Sequence, residues 1–200
     1  MDKKNHFRSL DFKALKQLIA DEAKDLGFDE CGFSVAVNLI SDAEKMESWL
    51  EKSFHGEMSY LERNKEKRYD PRQLVENTHT IISVLQNYYP QELIPEKDNY
   101  KISKYAYGKD YHSVIKDKLR KLLRKIEETT GPLEARAFTD SAPVLDRAWA
   151  ERSGLGFIGI GEANLLNRAF RAEWIFRGAD FLPEFHQRLI VIAGTFCRNK

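Results

Sequence analysis

Apolar residues recur at helical spacing at Leu10, Ala14, Leu15, Leu18, Ile19, Ala23 and Leu26, and Gly27 closes the run. The period then shortens, and Cys31-Gly32-Phe33-Ser34-Val35-Ala36-Val37 reads as a strand. Ser41-Asp42 opens a second predicted helix through Met46, Trp49 and Leu50, and a short third is predicted from Met58 to Asn64. Asp70-Pro71 marks a further helix start, because proline at the first helical position gives up an N–H that has no partner anyway. Thr80 to Leu85 is a β-rich, fully apolar-patterned strand. Beyond a polar loop from Tyr88 to Asn99, a strand is predicted over Lys101–Ala106 and a long amphipathic helix over Asp110–Thr129. Gly131-Pro132 breaks that helix, and Leu133 to Thr139 reads as another strand. Strands alternating with helices predict an α/β domain, with α+β as the variant: a layered sheet with helices packed on it.

The strand ending at Thr139 runs into Asp140-Ser141-Ala142-Pro143-Val144-Leu145 and then into Gly154-Leu155-Gly156-Phe157-Ile158-Gly159. This predicts Asp140 at a strand-to-helix junction, with a helix from Ser141 that closes on glycines. Helix N–H groups favour negative charge at such a place, and glycines let the backbone approach something bulky. An acid and a Gly-rich loop at opposite ends of one helix can frame a cofactor pocket. On those residues alone, an ordinary N-cap and C-cap are the better account.

Composition narrows the classes. The chain has 200 residues, 42% hydrophobic and 32% charged, with 32 Lys and Arg against 31 Asp and Glu. That balance excludes a globally basic nucleic-acid binder, so any RNA contact rests on a local patch. The densest basic stretch is Lys116 to Lys125, where Lys121 and Arg124 are the candidate RNA-facing residues, although most such helices are merely solvated. No segment resembles a signal peptide or a membrane span, and two distant cysteines, Cys31 and Cys197, define no disulfide framework. A cytoplasmic protein, monomeric and without a membrane partner, is expected.

Two more clusters carry candidate chemistry. In Gly56 to Asn64 with Arg68-Tyr69-Asp70-Pro71-Arg72, arginines can hold carboxylate or phosphate in pairs of hydrogen bonds. On a continuous helix Glu62 would stack on Glu66 and Arg63 on Lys67, like on like. In Tyr105-Ala106-Tyr107-Gly108-Lys109-Asp110-Tyr111-His112, aromatic rings around a glycine can stack on a flat ring. His112 has no partners at ligand spacing and is not assigned as a metal ligand; the predicted metal set is empty. Phosphate-loop, dinucleotide-binding, nucleophile-elbow and HExxH motifs are missing.

Taken in order, Gly56–Asn64, Arg68–Pro71, Tyr105–His112, Asp140–Leu145 and Trp149–Gly159 resemble the epoxyqueuosine reductase family. The resemblance implies cobalamin and 4Fe–4S cofactors, and reduction of epoxyqueuosine to queuosine in tRNA. It implies Asp140 as the general acid that protonates the epoxide oxygen, desolvated against the corrin. Arg63, Tyr105, Gly154, Gly156 and Gly159 are corrin contacts by the same carry-over. It assigns residues 1–159 to a cobalamin- and substrate-binding domain and 160–200 to a divergent tail, a remnant of the segment leading to a missing 4Fe–4S domain. Cys197 is a remnant of a cluster motif on this reading, and two cysteines cannot bind clusters that take four each. The expectation is a truncated form that needs an external electron donor. The alternatives are a non-catalytic corrinoid- or tRNA-binding module, or a corrinoid-dependent reductase of a small molecule.

Overall fold

The first stripe forms α1 (Phe12–Asp25), which buries Leu15, Ile19 and Ala23. A computed structural model of the chain describes residues 12–87, 92, 95, 100, 106–140, 142–158, 166–167 and 188–196. After α1 come β1 (Glu30–Val35), α2 (Ile40–Glu51), a 3-10 turn at Ser59–Glu62, α3 (Lys65–Tyr69) and a second 3-10 turn at Pro71–Gln73. Next are β2 (Thr80–Asn87), α4 (Tyr111–Thr130), β3 (Glu134–Phe138), α5 (Asp146–Arg152), a small hairpin of β4 (Phe157–Ile158) with β5 (Leu166–Asn167), and β6 (Arg188–Phe196).

The main sheet has the order β1-β2-β6-β3. Strands β2, β6 and β3 run parallel, and β1 is an antiparallel edge strand. Thr80 to Leu85 of β2 are all buried, as expected of a strand covered on both faces. Ile82 and Val84 join Leu15, Ile19, Ile115, Leu119, Leu122 and Ile126 in one core, under α1 and α4. Ile81 points to the other face, with Leu39, Phe138, Ala148 and Trp149, and Leu85 packs there on Ala150 and Leu155. The apolar stripe of α4 is fully buried, at roughly 1.5–3 kcal/mol per large side chain, and this holds the helix antiparallel to the strands. The layered α/β arrangement is as expected.

Four local expectations change. First, the helix after Asp140 does not begin at Ser141 but at Asp146. Pro143 disfavours helical backbone at the preceding Ala142, so the chain makes a turn, Val144 N–H to Ala142 C=O, before winding. Second, Met58–Asn64 is a 3-10 turn, not a helix, and Asn64 is left-handed at φ 57°. That kink separates Glu62 from α3, so the like-charge stacking on Glu66 does not form; Glu62 instead meets His55 Nε2 at 2.9 Å. Third, Arg188–Phe196 is not a tail after the domain but the strand between β2 and β3. Its core, Leu189-Ile190-Val191-Ile192-Ala193, is an apolar run of the kind parallel sheets bury, and the division at 159 cuts across this sheet. Fourth, the predicted helix from Asp70 to Val75 is only the 3-10 turn at Pro71–Gln73. Of the predicted strand Lys101–Ala106, residues 101–105 lie outside the described residues, and Ala106 is not in a strand.

Candidate active site

In open sheets with parallel strands, ligands gather beyond the carboxyl ends of the strands. Asp140 lies there, two residues past the end of β3. Its backbone is left-handed at φ 51°, a conformation that aspartate tolerates better than most residues, at a cost of about 1–3 kcal/mol. Because α4 runs against the strands, its first turn reaches the same edge. The Tyr111 hydroxyl donates to Asp140 Oδ2. His112 Nε2 is 3.6 Å from that same oxygen. The two rings stack with centroids 4.1 Å apart.

Asp110 caps α4. Its Oδ1 accepts from the His112 backbone N–H at 3.0 Å and lies 2.8 Å from His112 Nδ1. These bonds from His112 hold the Asp110 carboxyl below the usual carboxylate range. An ionised carboxylate only accepts, so Nδ1 carries the hydrogen and Nε2 is the atom turned to Asp140. Asp146, at the start of α5, is pushed above the ordinary range by burial, and the charge of Asp140 adds to that. The site is therefore three aspartates, one tyrosine and one histidine, with Asp140 37% exposed and reachable.

The remaining predicted residues are spread around this edge. Arg63 caps the 3-10 turn at Ser59–Glu62 and is exposed, without an ion pair among the described residues. Tyr105 and Gly159 lie outside the described residues, as does Cys197. Gly154 is left-handed at φ 75°, and Gly156 follows two residues later on the same short segment. That segment is pinned to the sheet: Ser153 Oγ donates to Ser34 Oγ on β1 and pairs with Ser83 Oγ on β2, each at 3.2 Å. Gly32 makes this approach possible, since a Cβ there would sit 2.5 Å from the Ser153 carbonyl oxygen and 2.9 Å from Leu155.

Lys121 and Arg124 are exposed on α4. Lys121 lines an open groove of about 560 Å³ with Lys109, Asp110, Ser113, Asp117 and Lys118, so the groove begins at the site. Arg124 stands outside it, roughly 20 Å along the helix from Tyr111 at about 1.5 Å per residue. Lys118 ties the groove to the strand ends through Gly27 C=O at 3.0 Å and Gln86 Oε1 at 2.5 Å. The sequence marked Tyr111 and His112 within a cluster of candidate chemistry but did not join them to Asp140, and it did not mark Asp146. Tyr111 and His112 had a signal, an Asp cap followed by two polar rings; Asp146 had none that separated it from an ordinary helix start.

Among the described residues no group of three or more His, Cys, Asp or Glu side chains could hold a metal ion. Cys31 is a free thiol on β1, pushed up to about 12 by burial and by Glu30, and thus not a thiolate ligand. No described helix is long and apolar enough to cross a membrane.

The fold and site define an α/β domain that gathers a carboxylic acid, a phenol and an imidazole, groups able to give or take a proton, at its strand ends. Comparison with known proteins narrows it. Residues 68–141 match the family model described as epoxyqueuosine reductase QueG, DUF1730. Over 146 residues the chain is 49% identical to an epoxyqueuosine reductase of Leadbetterella byssophila, covering 73% of this chain and 48% of that one. The structure of epoxyqueuosine reductase from Streptococcus thermophilus superposes with a TM-score of 0.64 at 32% identity, over 72% of this chain and 40% of that one. A crystal structure of an epoxyqueuosine reductase with an epoxyqueuosine-modified tRNA-Tyr stem loop matches with a TM-score of 0.64 at 25% identity, over 78% and 42%. In sequence and in fold the chain is similar to epoxyqueuosine reductases. It spans about half the length of the curated relatives it matches.

Proposed function

We propose that this chain carries the substrate-binding and proton-donating part of an epoxyqueuosine reductase, acting in the cytoplasm on tRNA that bears the epoxide. The observation that carries the reading is Asp140, an accessible acid held at the strand ends by Tyr111 and faced by His112. Asp140 is the general acid: it gives its proton to the epoxide oxygen as the strained C–O bond opens. A positioned acid of this kind contributes about 10²–10⁴-fold. Lys109 and Lys121, exposed on the groove that starts at Asp110, support the reading for tRNA, because such ammonium groups can meet backbone phosphates.

The residues present fit a corrin in kind. Arg63 is an exposed guanidinium free to meet an anionic or amide group, and Gly154 and Gly156 expose backbone on a segment tied down by Ser153. When bound, cobalamin supplies the electrons that break the C–O bond. Iron–sulfur clusters do not fit these 200 residues, which contain two cysteines, one of them the buried thiol of Cys31. On this reading the electrons come from outside these 200 residues.

The test has two arms. The purified chain is titrated with cob(II)alamin, following the visible spectrum. It is then supplied with a strong chemical reductant and an epoxyqueuosine-containing stem loop. Saturable binding that weakens in Arg63→Ala, together with queuosine formation, supports the reading. Folded protein that binds neither cofactor nor stem loop overturns it.

A further inference from the structure

We propose that His112 and Asp110 form a proton relay that recharges Asp140 at Oδ2, after which a half-turn of the carboxyl about Cβ–Cγ carries that proton to the substrate side, the Tyr111 hydroxyl holding whichever oxygen then faces the relay. The inference rests on the reading of Asp140 as the acid. It starts from the balance of the reaction. Removing the oxygen of an epoxide leaves a C=C bond and releases water, consuming two electrons and two protons. The electrons come from a low-potential one-electron donor. Both protons end on the same oxygen, the first as the ring C–O bond breaks and the second as the oxygen departs from the other carbon. One carboxylic acid holds one proton. Asp140 must be reloaded within a turnover, while the bound substrate covers its reacting side.

The geometry provides a second side. Both recorded contacts of the Asp140 carboxyl, with Tyr111 and with His112, fall on Oδ2. Among the described residues Oδ1 has none, which leaves it for the substrate. His112 presents Nε2 to Oδ2 at 3.6 Å, a gap that a small ring movement or one water closes. Its Nδ1 is held by Asp110 at 2.8 Å, which fixes the ring with Nε2 toward Asp140. The ring is 38% exposed, so it recovers its proton from bulk water. The titratable groups around it are Asp110 and Tyr111 on α4, Asp140 beyond β3, and Asp146 on α5, which responds to the charge of Asp140. His112 and Asp110 act through Asp140 and are positioning and relay residues rather than catalytic ones.

The experiment pairs kinetics with a measurement on the chain free of cofactor. In chemically reduced turnover with the stem loop, His112→Gln is expected to lower the rate roughly tenfold or more in dilute buffer. Added imidazole should restore much of it, whereas stem-loop affinity stays unchanged. A deficit that imidazole does not relieve, or no deficit, overturns the relay. Independently, long-range ¹H–¹⁵N spectra of the apo chain should show the Nδ1–H form of His112 and an Nε2 signal that moves in Asp140→Asn. In Asp110→Asn the Nδ1–H preference should disappear. An Nε2–H form blind to Asp140 refutes the relay even in a chain that turns over. Failure of the function assigned to Asp140 reads differently, as wild-type protein that never forms queuosine.

Discussion

Replacing Gly32 by alanine should loosen the segment that carries Gly154 and Gly156 without touching any polar group of the site. The new Cβ would lie 2.5 Å from the Ser153 carbonyl oxygen and 2.9 Å from Leu155. Ordinary contacts sit at about 3.5 Å, so the segment must retreat by roughly 0.5–1 Å. Both partners of the Ser153 hydroxyl are already at 3.2 Å, and such a retreat carries them beyond hydrogen-bond distance. Overpacking costs about 1–3 kcal/mol, and each of the two lost neutral hydrogen bonds adds about 1 kcal/mol, for a destabilisation of roughly 3–5 kcal/mol. Urea unfolding of the wild type, Gly32→Ala, Ser153→Ala and the double variant measures it. The double variant should cost less than the sum, because alanine at 153 has already released the serine bonds that Gly32→Ala breaks. Strict additivity, or a Gly32→Ala chain within about 0.5 kcal/mol of wild type, would show that the segment yields freely and would refute the pinning argument.

Other outcomes follow from the same geometry. Asp140→Asn keeps a residue that tolerates φ 51° but holds no transferable proton, so turnover should fall about 10²–10⁴-fold while stem-loop affinity and melting temperature hold. Lys121→Glu should weaken stem-loop binding and flatten its salt dependence more than Arg124→Glu does, since only Lys121 lines the groove that reaches Asp110; gel shifts at several salt concentrations decide this. Asp146 is raised in the fold, so the native state holds its proton at a pH where the unfolded chain has lost it. Stability from this group is full below the ordinary carboxylate value of 3.8 and declines as pH rises above it. Asp146→Asn should remove that decline, and chemical denaturation between acid and neutral pH measures the difference.

How far the chain could be read from its residues depended on the range of the interaction involved. Periodicity located α1, β2, α4 and β3 to within a few residues, because each carries an apolar pattern that must face a core. Asn64 shows the limit. Whether Glu62 stacks on Glu66 depends on one left-handed residue between them, and asparagine is common in helices and turns alike. β6 shows another. Leu189 to Ala193 is apolar enough for a strand, yet its slot between β2 and β3 is a pairing over some 50 to 110 residues of sequence, which no local pattern encodes.

Asp140 illustrates the same division within the site. A helix starting at Ser141 would have surrounded its carboxylate with N–H groups and favoured its ionised form, which works against an acid. With Pro143 delaying the helix to Asp146, that field is absent, and the carboxyl oxygen meets a phenol and an imidazole from α4 instead. The carboxyl is then oriented by side chains of α4 rather than by helix N–H groups, and its charge adds to the burial that raises the half-buried Asp146 on α5. The pre-proline restriction is visible in the sequence. Its consequence is not, because Tyr111 and Asp140 are 29 residues apart and meet only once α4 and β3 are packed on the sheet.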